Sequence, residues 1–384
     1  MKKFSKVMCL VLAVAMALCF AACGSKDGGD NANELYIGGI GPLSGDYANY
    51  GTSVKNGCEL AVKEINEAGG INGMQITLDF QDSQADPDSA VSAYGLLMDN
   101  GMDVSLGGVM SGETASIVAA AKADGLLVLT PSGSAKDCIS GNDSAFRVCF
   151  NDPGQGTASA EFIGSHNLPK KVAIFYQSDV DYSVGLYETF IESAEANGIE
   201  VVETQTFTTG TSTDFSTQIN AIQSSGAELV FIPIYAAEAS TFLTQASGKL
   251  NGAIFFGCDG LDGILTKVSD AAYAENVMLL TPFAADADDE QVRKFVSDYE
   301  AAYGATPDQF AADGYDAIYA IKAAVEKAGK TPADSDFNEA VVAAMTEIEV
   351  DGVTGDMTWS ADGETNKAAQ AMIIHDGVAT AYTE

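Results

Sequence analysis

The sequence predicts an α/β protein of two lobes, each a parallel sheet wound with helices on both faces, joined by a hinge of several strands. Three observations carry this prediction. Short apolar runs of strand length alternate with amphipathic stretches of helix length. The alternation stops and starts again around Asn151-Asp-Pro-Gly154, and after Pro282 it gives way to a helical segment. Two α/β series followed by a helical return require a chain that crosses between lobes more than once. Ligands of such sheets bind outside the carboxyl ends of the strands, so function is sought in those loops.

The first series opens with the apolar run Leu35–Ile40, followed by turn residues and a helical stretch from Ser53 to Ala68 that stops at Gly69-Gly70. Ile76–Phe80 reads as the next strand, with a helix from Pro87 to Asn100 stopped by Gly101. Val104–Gly107, Thr114–Asp124 and Leu126–Leu129 repeat the strand–helix–strand rhythm. In the second series the strands are Val172–Tyr176, Ile199–Thr206, Leu229–Ile234, Ile254–Gly257 and Val277–Thr281, with helices over 184–197, 214–225 and 236–249. Beyond Pro282, Asp288–Tyr303 and Gln309–Lys327 show apolar residues at three- and four-residue spacing. A third helix near Phe337–Glu347 precedes short strands that end in Ala371–His375.

At the N-terminus Lys2, Lys3 and Lys6 precede an apolar run from Val7 to Ala22. That run is shorter than the roughly 20 residues a spanning helix needs, and its charged start and small-residue end describe a secretory signal over residues 1–22. Phe20-Ala21-Ala22-Cys23 is similar to the lipobox of bacterial lipoproteins, which implies lipid on Cys23. Residues 24–33 are polar and Gly-rich, a flexible tether. These features imply a protein held by lipid on the extracellular face of the cell membrane. The formal charge is −35; removal of residues 1–22 takes away three Lys and no acid and leaves −38. A surface this acidic is repelled by nucleic acid and by anionic lipid.

Of seven cysteines, Cys9 and Cys19 leave with the signal, and Cys58, Cys138, Cys149 and Cys258 remain beside Cys23. No C-x-x-C pair suggests zinc or redox chemistry. In an oxidising compartment Cys138 and Cys149 can close a short loop by a disulfide, or both can stay reduced, because spacing does not show geometry. Cys58 and Cys258 read as buried thiols. Catalytic signatures are missing as well. Only His166 and His375 are present, and there is no G-x-S-x-G elbow, P-loop or H-E-x-x-H. Gly39-Ile-Gly41-Pro-Leu-Ser44 fails the dinucleotide fingerprint at its third glycine. Asp286, Asp288, Asp289 and Glu290 lack the order of a calcium loop and read as acids at a helix start. The expectation is a protein that is not an enzyme and carries no cofactor or metal.

Three loops after strands offer small polar groups. Val109-Met-Ser111-Gly-Glu-Thr114 opens a helix and can hold an anion on hydroxyl and backbone N–H groups. Thr130-Pro-Ser132-Gly-Ser134 presents hydroxyls and carbonyls, and Cys258-Asp259-Gly260 places one acid at a strand's carboxyl end. Taken singly, each loop is better explained by capping or turn chemistry than by ligand binding.

Gly41-Pro-Leu-Ser-Gly45, Tyr50-Gly51, Asn66-Glu-Ala-Gly-Gly-Ile-Asn-Gly73 and Asp79–Asp86 resemble the opening of the leucine/isoleucine/valine-binding proteins. Leu129-Thr-Pro-Ser132, Asp181-Tyr182-Ser-Val-Gly185 and Asp214-Phe-Ser216 continue the resemblance, in order, from about Leu35 to Trp359. It implies the type I periplasmic binding protein fold and a substrate-binding lipoprotein of an ABC importer. By position it implies that Ser111 binds a ligand carboxylate, that the Ser132 carbonyl receives an ammonium, and that Ser134 binds through hydroxyl and amide. Asp259 falls at the acidic position that pairs with the ammonium, where the best-known members have the longer Glu. Tyr50, Tyr182, Tyr235 and Phe310 fall where aromatic residues line the pocket, and Met110 where members differ.

The implied ligand is a free amino acid, branched-chain aliphatic, and the implied partner is the importer's permease in the membrane. The alternatives are an aromatic amino acid, an amide or urea on the same fold, or a ligand sensor. The protein is expected to act as a monomer. The lobes are expected over 34–151 plus 283–356 and over 152–282 plus 357–384. Hinge crossings are expected near Phe150–Pro153, Thr281–Phe283 and Met357–Ser360, with closure favoured by a ligand that touches both lobes.

Overall fold

In the computed structural model residues 33–383 are described, so the expected signal, Cys23 and all of the tether but Asn33 lie outside the described residues. Two main sheets organise the chain. The first contains β1 (Glu34–Gly41), β2 (Gln75–Asp82), β3 (Val104–Ser105), β4 (Val128–Thr130) and β5 (Ala145–Arg147), all parallel, in the order β2-β1-β3-β4-β5. The second contains β6 (Lys171–Gln177), β7 (Glu200–Phe207), β8 (Leu229–Phe231), β9 (Ile254–Gly257) and β10 (Val277–Thr281), extended by β13 (Gln370–His375) and β14 (Val378–Ala381). Its order is β14-β13-β10-β9-β8-β6-β7, parallel up to β10 and antiparallel beyond it. The parallel parts of both sheets share one winding, reversing direction beside their first strand, which is where such sheets open a ligand crevice.

Helices cover both faces. In the first lobe α1 (Ala48–Glu67) lies on one face, and α2 (Pro87–Asp99) and α3 (Ser111–Ala121) on the other. In the second, α4 (Asp152–Ser165) and α5 (Asp181–Ala194) pack together, with α6 (Ser216–Ser225) and α7 (Ala236–Ala246) opposite. Burial on two faces explains why the strands are apolar throughout rather than alternating: β5, β8 and β10 are buried at every position. On the second sheet Ile174, Phe231 and Met278 face Phe190, while Phe175, Val230 and Leu279 face the side of Phe215 and Phe242.

After Thr281 the chain enters α8 (Glu290–Tyr303), α9 (Gln309–Ala328) and α10 (Phe337–Ala344). The acids before α8 do cap it: Gln291 N and Val292 N both donate to Asp289 Oδ1, at 2.8 and 3.0 Å. A hairpin, β11 (Glu349–Gly352) with β12 (Gly355–Thr358), then leads back to β13 in the second sheet. The hairpin is pinned to α9 by Asp316, which accepts hydrogen bonds from Val353 N and Thr354 N at 2.9 Å each, with the buried Lys367 ammonium 3.9 Å away. Among the described residues no helix is long and apolar enough to cross a membrane.

Most expected elements are present with shifted ends. Two shifts bear on the site: α1 begins at Ala48, so Tyr50 is helical, and α3 begins at Ser111, putting that hydroxyl in its first turn. One helix, α4, falls where no helix was expected. Asn151-Asp-Pro-Gly-Gln-Gly156 has the composition of a loop, yet Asn151 Oδ1 accepts from Gly154 N at 2.7 Å and Pro153 fits a first helical turn. Gly156 lets α4 lie directly on α5, since a Cβ there would come within 2.0 Å of Thr189 Oγ1.

The tightest packing joins α1 to α9, the helices that carry Tyr50 and Phe310. A Cβ on Gly57 would sit 1.9 Å from Ala311 O, and one on Gly314 would sit 2.4 Å from Val54 O. Gly57→Ala should therefore destabilise the fold by about 1–3 kcal/mol, the usual cost of overpacking. Chemical denaturation of the variant against the parent measures it, and an unchanged midpoint would contradict this packing.

Candidate functional site

All eight residues singled out in the sequence meet in one cavity. Tyr50, Ser111, Ser132, Ser134, Tyr182, Tyr235, Asp259 and Phe310 line it, with Val109, Met110 and Gly260. With the lobes in contact these side chains leave only about 10 Å³ among themselves, room for about one water molecule. Every element that contributes does so from the carboxyl end of a strand or the start of a helix. Ser111 follows β3, Ser132 and Ser134 follow β4, Tyr182 follows β6, Tyr235 follows β8 and Asp259 follows β9.

One side of the cavity is built round the Asp259 carboxylate, 3% exposed. Tyr182 Oη donates to its Oδ1 at 2.7 Å, Gln155 Nε2 to its Oδ2 at 2.9 Å, and Gly260 N to Oδ1 at 2.7 Å. Gln155 Oε1 in turn accepts from Asp259 N at 3.0 Å, which locks the acid in orientation. Burial pushes the carboxyl up to about 6, while the bonds from Tyr182, Gln155 and Gly260 pull the other way. No Lys, Arg or His forms an ion pair with it among the described residues. A desolvated carboxylate held by neutral donors is an acceptor waiting for a cation.

Hydroxyls and a helix start face it. Ser111 Oγ accepts from Ala135 N at 3.2 Å, leaving its own proton undonated among the described residues. Ser132 Oγ donates to Val109 O at 2.9 Å, and the Ser132 carbonyl accepts no hydrogen bond among the described residues. Glu113 braces the first turn of α3: its Oε1 accepts from Val109 N and Met110 N at 2.9 and 2.8 Å, and burial pushes it up to about 7. Beneath the second loop lies Arg147, fully buried, donating to the carbonyls of Gly133 and Ala135 at 3.0 Å each and also to that of Ser134. With those carbonyls turned toward the guanidinium, the opposite side of the loop faces the cavity.

Aromatic rings form the remaining wall. Tyr182 and Tyr235 stack with centroids 4.5 Å apart, and Tyr50 meets Phe310 edge-on at 4.7 Å. Such rings give a large, rigid apolar surface. Burial raises all three phenols well above their ordinary value, so they act as neutral donors and acceptors.

The two lobes touch across this cavity. Tyr50 Oη donates to Gly260 O at 2.6 Å and accepts from Ala236 N at 2.8 Å. Tyr47 Oη donates to Glu238 Oε1 at 2.6 Å, Gln309 N to Asp262 Oδ2 at 2.8 Å, and Lys267 Nζ to Asp46 O. The cleft is shut.

Two points go beyond the sequence reading. Of the two alternatives open for Cys138 and Cys149 the structure has the reduced one: both are free, buried thiols, and Cys138 Sγ donates to Ser111 O at 3.5 Å. Burial raises the Cys138 thiol to about 12 and Cys149 further, which makes both unreactive. Gln155 and Arg147, which position Asp259 and Ser134, were not anticipated, because α4 and β5 were not expected as elements. The signal was present in Gln155-Gly156 and in a single Arg amid apolar residues. A second, open depression lies elsewhere in the second lobe, between Leu250, Phe255, Tyr273 and Ile373. Its acid, Glu275, is already committed to His375 Nδ1 at 2.9 Å and to Asp376 N. Among the described residues no unsatisfied charge converges there.

Comparison with known proteins agrees with this architecture. A Leu/Ile/Val-binding protein homologue of Brucella melitensis is 29% identical over 333 residues, 86% of this chain and 88% of that one. The branched-chain amino-acid transporter substrate-binding protein LivJ of Streptococcus pneumoniae, solved with isoleucine, superposes with a TM-score of 0.83 at 28% identity, covering 91% of this chain and 99% of that one. An ABC-transporter solute-binding protein of R. palustris solved with benzoate shares the fold, with a TM-score of 0.81 at 23% identity over 91% of this chain and 95% of that one. The sequence profile of periplasmic binding proteins matches residues 34–378, and with the two wound lobes and the cleft between them it establishes that this chain belongs to the periplasmic binding protein family.

Proposed function

We propose that this protein binds a free, branched-chain aliphatic amino acid between its lobes and delivers it to the permease of an ABC importer. The observation that carries the reading is the pairing of opposites within one small cavity. Asp259 lacks a cation on one side, and Ser111 at a helix start lies on the other, with aromatic walls between. A zwitterion with an apolar side chain satisfies each feature at once. The ammonium would meet Asp259 and the Ser132 carbonyl, the carboxylate Ser111 and Ser134, and the aliphatic group Tyr50, Tyr182, Tyr235 and Phe310. The isoleucine-bound relative supports the choice of ligand class. A simple carboxylic acid such as benzoate fits this cavity poorly, since it would leave Asp259 unpaired. Amides and urea can donate N–H to Asp259 but bring no positive charge to it.

In this reading one lobe comprises 34–151 plus 283–356 and the other 152–282 plus 357–384. Ligand bound to both halves favours the shut form by its differential affinity, and the shut form docks on the permease. The apolar run before Cys23 supports export and lipid anchoring of a monomer on the outer face of the cell membrane.

Calorimetric titration with isoleucine, leucine and valine tests the reading. The parent should bind at least one of them, and Asp259→Ala should weaken that binding by about 2–5 kcal/mol, the cost of truncating one member of a buried charge pair. Unchanged affinity would remove Asp259 from the site. Ser111→Ala should weaken binding of the amino acid more than that of its amide, which lacks the carboxylate; equal losses would refute the role of Ser111. Tyr50→Phe breaks the two cross-lobe bonds of its hydroxyl, each worth about 0.5–1.5 kcal/mol. Ligand should then dissociate several-fold faster in stopped-flow displacement, and an unaltered rate would show that this latch does not hold the cleft.

A further inference from the structure

Beside the cavity, next to the point where Phe310 lines it, the contact between the lobes brings two acids onto one helix end. Asp262 follows the turn that carries Asp259, and its Oδ2 accepts from Gln309 N, the first amide of α9, at 2.8 Å. The residue before that amide is Asp308, which caps the same helix: its Oδ1 accepts from Ala311 N at 3.0 Å and its Oδ2 from Ser53 Oγ at 2.8 Å. Gly263, next to Asp262, packs on the same carboxylate, for a Cβ there would lie 3.6 Å from Asp308 Oδ2. The remaining oxygen, Asp262 Oδ1, accepts from Gly263 N at 2.9 Å. All four carboxylate oxygens thus meet neutral donors, and no ion pair among the described residues includes either acid.

The start of a helix attracts an anion, and Asp308 already supplies one. A second carboxylate set on the same end gains the bond from Gln309 N but faces a like charge. The other groups around the contact do not offset it. Asp259 on the adjoining turn is an acid, as is Asp313 farther along α9, and Tyr299 of α8 is a phenol that burial keeps neutral. Asn49 of α1, 3.7 Å from the same Cβ position, bonds neither acid. Lys267, a cation of the same contact between lobes, reaches Asp46 O and faces Asp46 and Glu238. In the division proposed above, Asp308 and Gln309 belong to one lobe and Asp262 to the other. Opening the cleft therefore parts the two acids and gives Asp262 back to water.

We propose that Asp262 takes up a proton as the lobes meet at the start of α9, so that acid favours the shut cleft and alkali loosens it. This rests on the reading that ligand holds the shut form. Burial first, and then the charge of Asp308, raise the Asp262 carboxyl to about 7, while the bonds from Gln309 N and Gly263 N pull the other way. With the lobes apart it returns toward the ordinary value of about 4. The sign follows: the shut form binds the extra proton. Closure therefore gains as the pH falls through about 7 and gains no more below about 4, by up to about tenfold per pH unit between. Asp259 titrates too, in parent and variant alike, so the effect of Asp262 is read as the ratio of their affinities.

Calorimetric titration of the full chain with isoleucine at pH 5.5 and pH 8, parent against Asp262→Asn, tests this. The Asn keeps an acceptor for Gln309 N and carries no charge. It should bind isoleucine more tightly than the parent at pH 8, and that advantage should shrink by about tenfold or more at pH 5.5. A variant no tighter than the parent at pH 8, or one whose ratio to the parent is the same at both pH values, would show an ordinary hydrogen bond and overturn the proposal. Asp308→Asn keeps the cap on α9 and removes the facing charge, so it should act in the same direction, and it decides the matter should Asp262→Asn not fold. If no amino acid binds, the reading of the cleft falls, and small-angle scattering of the ligand-free chain judges Asp262 separately. A smaller radius of gyration at pH 5.5 than at pH 8, with the difference reduced in Asp262→Asn, supports the proposal; equal radii sink it.

Discussion

A carboxylate taken out of water and given no cation organises this cleft. Asp259 is affordable only because Tyr182, Gln155 and its own neighbouring amide direct three donors at it. Each donor is placed by a different element, so α4, α5 and the loop after β9 must all be in register for the acid to be tolerated. A neutral donor lessens the desolvation of a carboxylate without cancelling its charge. What is left over is attraction for a positive group, directed toward the open side of the cavity. The hydroxyls after β3 and β4 supply the opposite polarity on the other lobe, and the rings between them keep water from competing with either end.

The segment that joins the first sheet to the second lies in the middle of this arrangement. Within a few residues it supplies Arg147, which holds the loop of Ser134, then Asp152 behind that loop, then Gln155, which holds Asp259. Its partner crossing is tied to it directly: Trp359 Nε1 donates to Arg147 O at 2.7 Å, and Asn151 Nδ2 to Glu364 Oε2 at 2.8 Å. A rotation of one lobe against the other must therefore move the groups that hold both ends of the ligand site. That is the physical basis on which occupancy of the cleft and position of the lobes can be coupled in the proposed cycle. Tyr50 adds a contact made only when the lobes meet, because its partners Gly260 and Ala236 belong to the opposite side.

Support for the first half of the site comes from an approach of backbones. Gly57 and Gly314 bring α1 and α9 close enough for Tyr50 and Phe310 to touch. The hairpin β11–β12, held by Asp316, closes over the same helix. These are packing devices, but they set the distance between the two rings that begin the apolar wall.

Much of this was written in local sequence. Strand runs with apolar residues at every position, helices with a single apolar stripe, and Gly stops mark elements whose burial depends on their own side chains, so α/β winding and the loops of Ser111, Ser132, Ser134 and Asp259 were legible. The helix α4 was not, since Asn151-Asp-Pro-Gly-Gln-Gly156 has loop composition and becomes helical through its cap and its fit against α5. The pairing of Cys138 with Cys149 was left open by spacing, and in the fold both are free thiols. Sequence by itself determined which residues are apolar, which loops are polar and where a lone acid stands, because those follow from composition and periodicity along one segment. Only the tertiary structure decided that Gln155 and Tyr182 orient that acid, and that Tyr50 reaches the other lobe, because each depends on groups distant in the chain converging within hydrogen-bonding reach.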